Sequence, residues 1–354
     1  MNKINSGIIL TSYWFSHAVI DFVCAATILW LYYTWEIFNE DLFYIALLYN
    51  CSSFGLQILF WALADKFKFS KSLAFLWCLF VWLGPIFYLL HIPLLAIIGV
   101  GIGNALFHVW WWITTLAINP WKSKYPGIFV APWAIGLFLG TTVWMAWYYT
   151  WIESLILLVI SALAMLFSSY HFSPYSYIKK FTEKNSNKDR KLPALLILTL
   201  LFISVIIRSF IWFLVNYSRK EWFLISLIFV CFVALWKALW GILWDKYWWK
   251  KVWVWSLLLS LPFLLLWEYW MWFGLLWIFL FNITMPIVFS GMIKLYPEKS
   301  WTMFWLLCMA LLIWALPKLL GVDYMWNEII LLIYFILISA FVVYCSFKAM
   351  KITK

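Results

Sequence analysis

Two stretches, QILFWALADKFKFSK at Gln57–Lys71 and KALWGILWDKYWWKK at Lys237–Lys251, decide how this chain is read. Setting Asp65 on Asp245 matches Leu63 to Leu243, Lys66 to Lys246 and Gln57 to Lys237. Each stretch ends a long apolar run with a short basic segment that carries one acid. A second pair, Tyr125-Pro126 and Tyr296-Pro297, opens later apolar runs in equivalent places of the two halves. A pattern that occurs once per half is the signature of a duplicated chain.

Working outward, the chain has 354 residues, of which 67% are hydrophobic and 11% charged, with a mean hydropathy of +0.95. That excludes a water-soluble globular domain, a disordered chain and a nucleic-acid-binding module. A spanning helix needs roughly 20 apolar residues. Runs of that length fall near 8–35, 41–64, 72–91, 93–119, 126–149 and 151–171, then near 194–217, 221–244, 252–268, 270–292, 300–319 and 325–347. The expected fold is an all-α integral membrane protein with 12 transmembrane helices in two pseudo-symmetric six-helix bundles. Residues 1–172 form the N-terminal bundle and 194–354 the C-terminal one, and the hydrophilic stretch 173–193 is a cytoplasmic linker with no apolar face to bury. The first run lacks a small-residue cleavage pattern and holds His17 and Asp21, so it reads as a retained helix.

Charge placement sets the orientation. With both termini inside, inner segments hold 20 of the Lys and Arg and outer loops only Arg219, Lys220 and Lys318. This is the positive-inside bias, and it accounts for the net charge of +11 without nucleic acid. Acids collect outside at Glu36, Glu40, Asp41, Glu153, Glu221, Asp323 and Glu328. The six cysteines lie in or beside apolar runs with no CxxC pair, which implies neither a disulfide framework nor a zinc site.

The repeated segment resembles the major facilitator superfamily, whose loop between helices 2 and 3 carries GxLaDrxGrk and whose loop between helices 8 and 9 repeats it more weakly. Gly241, Leu243, Asp245, Lys246, Lys250 and Lys251 match it in one half, and Leu63, Ala64, Asp65, Lys66 and Lys71 in the other. The resemblance assigns Asp65, Lys66, Gly241, Asp245 and Lys246 to conformational gating. It also implies that helices 1, 4, 7 and 10 line a central cavity.

One departure recurs. Trp61 stands at the first family glycine and Trp248 at a later one, and NALFHVWWWITTL at 104–116, APWAIGLFLG at 131–140 and SWTMFWLLCMALLIWALPKLLG at 300–321 resemble the family more closely with Gly in place of Trp. The chain has 31 Trp and 13 Gly, the reverse of the usual bias of packed membrane helices toward small residues. Many of these Trp are therefore read as UGA codons that the source translates as glycine; a protein truly rich in Trp is the alternative.

Ionisable groups inside spans cost about 2.5 to 3.5 kcal/mol each at the bilayer centre, so they face a cavity or a partner. His17 and Asp21, and likewise Asn104 and His108, are four apart and share a helix face. The expected proton-coupling pair is Asp21 with His17. The expected substrate cavity takes Asn104, His108, Arg208 and Asn282, with Gln57 and Lys237 at matching depths on helices 2 and 8. Asp21 and Arg208 both lie roughly 20 Å from the inner surface by helical rise, which allows them to pair. A purely structural ion pair with carbonyl-satisfied histidines is the alternative, and Lys237 can instead snorkel inward. Gly99 and Gly103 suit helix packing better than a phosphate loop, because no strand precedes them. Pro132 with Gly136 is loosely similar to the proline-glycine signature of family antiporters.

The expected activity is alternating-access transport of a small organic solute, proton-coupled and not enzymatic, at the cytoplasmic membrane, by a monomer that needs no cofactor or metal. Its partners are the solute, protons and the lipid bilayer, with no nucleic acid. Export is favoured by the similarity of His17–Phe22 to helix 1 of drug-resistance exporters. Import of an organic anion is the rival, and a non-transporting receptor or lipid-precursor enzyme is the alternative from another class.

Overall fold

The computed structural model describes residues 3–34, 42–67, 72–118, 122–143, 151–170, 192–214, 223–247, 252–267, 269–282, 284–296, 299–319 and 328–350. These residues are helical almost throughout, joined by short turns. In chain order the helices are α1 Lys3–Thr34, α2 Leu42–Asn50, α3 Gln57–Phe67, α4 Ser72–Leu89, α5 Pro93–Ile118, α6 Lys124–Val143, α7 Trp151–Tyr170, α8 Ala194–Leu214, α9 Phe223–Tyr247, α10 Val252–Leu265, α11 Met271–Phe281, α12 Thr284–Leu295, α13 Ser300–Leu319 and α14 Glu328–Ala349. Among the described residues, six stretches are long and apolar enough to cross a membrane, within 6–33, 44–61, 93–112, 124–142, 223–243 and 329–349. Six shorter apolar helices accompany them. The backbone polar groups of so apolar a chain are satisfied inside helices, the one arrangement besides a closed barrel that lipid tolerates.

Among the described residues, two runs read as unbroken are interrupted. The second is α2 and α3 joined by a π-helical segment, Cys51–Gly55. The small polar side chains there bond back to the backbone, Ser52 Oγ to Leu48 O at 2.8 Å and Asn50 Nδ2 to Ala46 O at 2.7 Å, and these bonds compete with the helical ladder. The tenth run is α11 and α12, parted at Asn282, whose amide donates to Ile278 O at 2.8 Å.

The contacts divide the chain into two compact units: residues 1–120 with 129–180, and residues 121–128 with 181–354. The start of α6 thus groups with the second unit and the rest of α6 with the first. In the first unit α4 and α5 form the most extensive pair, and α1 packs on α5 and α7. Glycines permit this approach. A Cβ on Gly103 would meet Val81 N at 2.7 Å and Trp77 O at 3.0 Å, so Gly99 and Gly103 serve the close helix contact expected of them. The α4–α5 connection is a Schellman turn: His91 N–H bonds to Tyr88 O at 2.9 Å and Ile92 N–H to Phe87 O at 2.8 Å, with His91 at φ 60°. In the second unit α8 packs on α13 and α14, and α10 on α11 and α14.

Candidate functional site

The first unit holds a polar cluster among apolar side chains. His17 and Asp21, one turn apart on α1, are buried at 1% and 6% exposure. His17 Nδ1 lies 2.9 Å from Phe129 O on α6, in the turn before Pro132. A carbonyl only accepts, so Nδ1 carries the hydrogen. His17 Nε2 then faces Asp21 Oδ2 at 3.0 Å, off the line of a hydrogen bond. At that distance the two side chains form a close, buried acid–imidazole pair.

Helix α5 completes the cluster. Asn104 Nδ2 lies 3.0 Å from Tyr49 Oη and 3.4 Å from Asp21 Oδ1, with Cys24 Sγ at 3.8 Å. His108 Nδ1 donates back to Asn104 O at 3.0 Å. Its ring and that of His17 meet edge-on at 4.9 Å, and Phe129 stacks on His17 at 3.9 Å. The Asn104 Oδ1 and Gln57 Oε1 atoms are buried without a hydrogen-bond partner. Gln57 spends its amide hydrogens on Ser53 O at 2.8 Å, a carbonyl of the π segment. The structure thus joins His17, Asp21, Asn104 and His108, and puts Gln57 at the head of α3. Tyr49 and Cys24 were missed by sequence reasoning; the usable signal was the small polar run Asn50-Cys51-Ser52-Ser53 next to Tyr49, in the middle of an apolar span.

In the second unit Arg208, on α8, is buried with its guanidinium 5.8 Å from the centre of the Phe281 ring. Asn282 follows Phe281 at the helix break, so Arg208 and Asn282 occupy one neighbourhood, although the Asn282 amide donates back into its own helix. Lys237 is half-buried on α9, and its carbonyl would stand 2.6 Å from a Cβ on Gly127. Among the described residues no group of three His, Cys, Asp or Glu can hold a metal ion.

A different kind of site sits at the lower end of α9. Asp245 accepts from Ser123 N–H at 2.8 Å and Lys124 N–H at 3.0 Å, the unsatisfied donors at the start of α6. Gly127 and Gly241 allow the approach, because a Cβ on Gly241 would meet Ser123 O at 2.6 Å and Lys124 Cα at 3.1 Å. Burial pushes the Asp245 carboxyl above its ordinary value, partly offset by those two N–H groups and by Lys122 and Lys124. Lys246 is exposed beside it. The side chains of Asp65 and Lys66 lie outside the described residues, as does Trp248.

No family model and no curated protein sequence matches the chain. Among solved structures it is similar to a major facilitator superfamily transporter, FucP, in the outward conformation, at 12% identity and a TM-score of 0.62 over 98% of each chain. The chain has the major facilitator fold. Agreement over nearly the whole of both chains, with so little identity, ties the fold to the apolar pattern more than to particular side chains. The major facilitator fold and the apolar helices make this a multi-pass membrane protein.

Proposed function

We propose that this protein is a secondary active transporter that moves a small organic solute across the cytoplasmic membrane by alternating access, with Asp21 and His17 carrying the coupling proton. The observation that carries this reading is the His17–Asp21 pair, 3.0 Å apart and buried in the first unit of a major facilitator fold. Asn104 and His108 extend the same cluster, and Asn104 Oδ1 offers a buried acceptor to a solute hydroxyl or ammonium group. Arg208, Asn282, Gln57 and Lys237 complete the proposed cavity. The HxxxDF stretch supports export.

Asp245 acts as a latch in this reading. It caps the start of α6, so making and breaking that cap gates exchange. Lys246 and Gly241 assist, and Asp65 and Lys66 take the equivalent role in the first half. Both termini face the cytoplasm, the chain divides at the 173–193 linker, and it works as a monomer, on the charge bias and the repeat.

Import of an organic anion is the second reading, favoured by the buried guanidinium of Arg208. Flux into proteoliposomes with and without a proton gradient tests the proposal: gradient-dependent flux of a solute is expected, and flux indifferent to the gradient refutes proton coupling.

A further inference from the structure

Tyr49 enters the cluster from a second helix. Its hydroxyl lies 3.0 Å from Asn104 Nδ2, whose amide also reaches Asp21 Oδ1, so the phenol fixes the group that holds the carboxylate. Its placement depends on the π segment. Gly101 on α5 lies where a Cβ would meet Ser52 Cβ at 2.5 Å and Tyr49 O at 3.3 Å, so the bulged turn seats directly on α5 backbone and brings Tyr49 level with Asn104.

We propose that Tyr49 is a positioning residue for the coupling proton, acting through Asn104, and that the π segment Cys51–Gly55 holds it in register. This rests on the proposed role of Asp21. Among the described residues, the titratable groups around Asp21 are His17 and Cys24 from α1, His108 from α5 and Tyr49 from α2. Helix α4 carries no charged residue, and the only ones on α6 and α7, Lys124 and Glu153, lie in the first turns of those helices.

The test is Tyr49→Phe, which removes the hydroxyl and keeps the ring. Without the phenol oxygen that accepts its hydrogen, Asn104 is no longer held against Asp21, so gradient-driven flux should fall about five-fold, the worth of one hydrogen bond, and its pH optimum should shift. Gly101→Ala should give the same shift by lifting the turn off α5. Solute exchange without a gradient should stay within two-fold of wild type, roughly the scatter of additive effects. If Asp21→Asn abolishes coupling but Tyr49→Phe leaves the pH profile in place, the positioning role is overturned and the role of Asp21 stands. If Asp21→Asn retains coupling, the functional reading itself has failed.

A second inference rests on the Trp residues alone. The indole N–H groups of Trp77, Trp82, Trp111, Trp236 and Trp305 are buried without a hydrogen-bond acceptor. By contrast, Trp110 donates to Tyr13 Oη at 2.8 Å and Trp240 to Phe279 O at 2.9 Å. Trp111 also follows the glycine row of α5, two helical repeats beyond Gly103, and its ring stacks directly against Phe129. An unpaired donor in a lipid-spanning bundle is as unfavourable as any buried orphan, and repeating it five times is incompatible with a well-satisfied interior.

We infer that the protein as its source makes it carries glycine at 77, 82, 111, 236 and 305, from UGA codons, and tryptophan at 110 and 240. Peptide-resolved mass spectrometry of the protein isolated from its native source decides this. Glycine at those five positions with tryptophan at 110 and 240 is expected. Tryptophan at 77 and 111 overturns the inference, and glycine at 110 or 240 overturns the sorting by indole partner.

Discussion

Asp21 and His17 face each other because the backbone of α6 fixes the imidazole. Phe129 O takes the Nδ1 hydrogen, which leaves Nε2 to face the carboxylate. Asp21→Asn keeps the shape and cannot titrate, so gradient-driven flux should vanish while solute exchange persists; flux assays in proteoliposomes read both. Arg208 is another buried charge. If its guanidinium binds an anionic solute, Arg208→Gln raises the KM at least ten-fold, the loss of about 1.4 kcal/mol or more expected for a hydrogen bond to a charged group, with an unmoved pH profile.

The two helix ends described above act as elements. At the α4–α5 turn, His91 occupies the left-handed region at φ 60°, where a side chain costs about 1 kcal/mol. His91→Gly should therefore raise the melting temperature in detergent without touching flux. At the start of α6, Asp245 is held by two N–H groups against a cost of burial that keeps its pKa raised. A carboxyl raised on docking contributes most to the docked state below the ordinary carboxylate range, and that contribution is lost as the pH rises through its raised value. Exchange should accordingly slow as the inner face is acidified, and Asp245→Asn should be slow at every pH with affinity within a few-fold. A large affinity loss at normal turnover would move Asp245 into the binding site. The π segment and the break at Asn282 were not legible in the apolar pattern. Both depend on side chains that bond back to the backbone, which hydropathy does not register.

At the scale of the whole molecule, the proposed orientation rests on charge. A single cysteine introduced in the linker, for instance at 184, should react with an impermeant maleimide only from the cytoplasmic side, in a background where the native cysteines are replaced. Labelling from outside would reverse the orientation drawn from the Lys and Arg bias.

The amino-acid sequence alone determined that this is a helical membrane protein with a duplicated plan, because apolar run length and charge bias answer directly to the bilayer. It also put His17 with Asp21 and Asn104 with His108 on common faces, since helical spacing is local. Only the tertiary structure decided that these two faces meet, that Tyr49 joins them and that Asp245 caps the start of α6. Those contacts are made across helices, where the deciding quantities are how closely Gly101, Gly127 and Gly241 let backbones approach and which donors a neighbouring helix leaves exposed at its end.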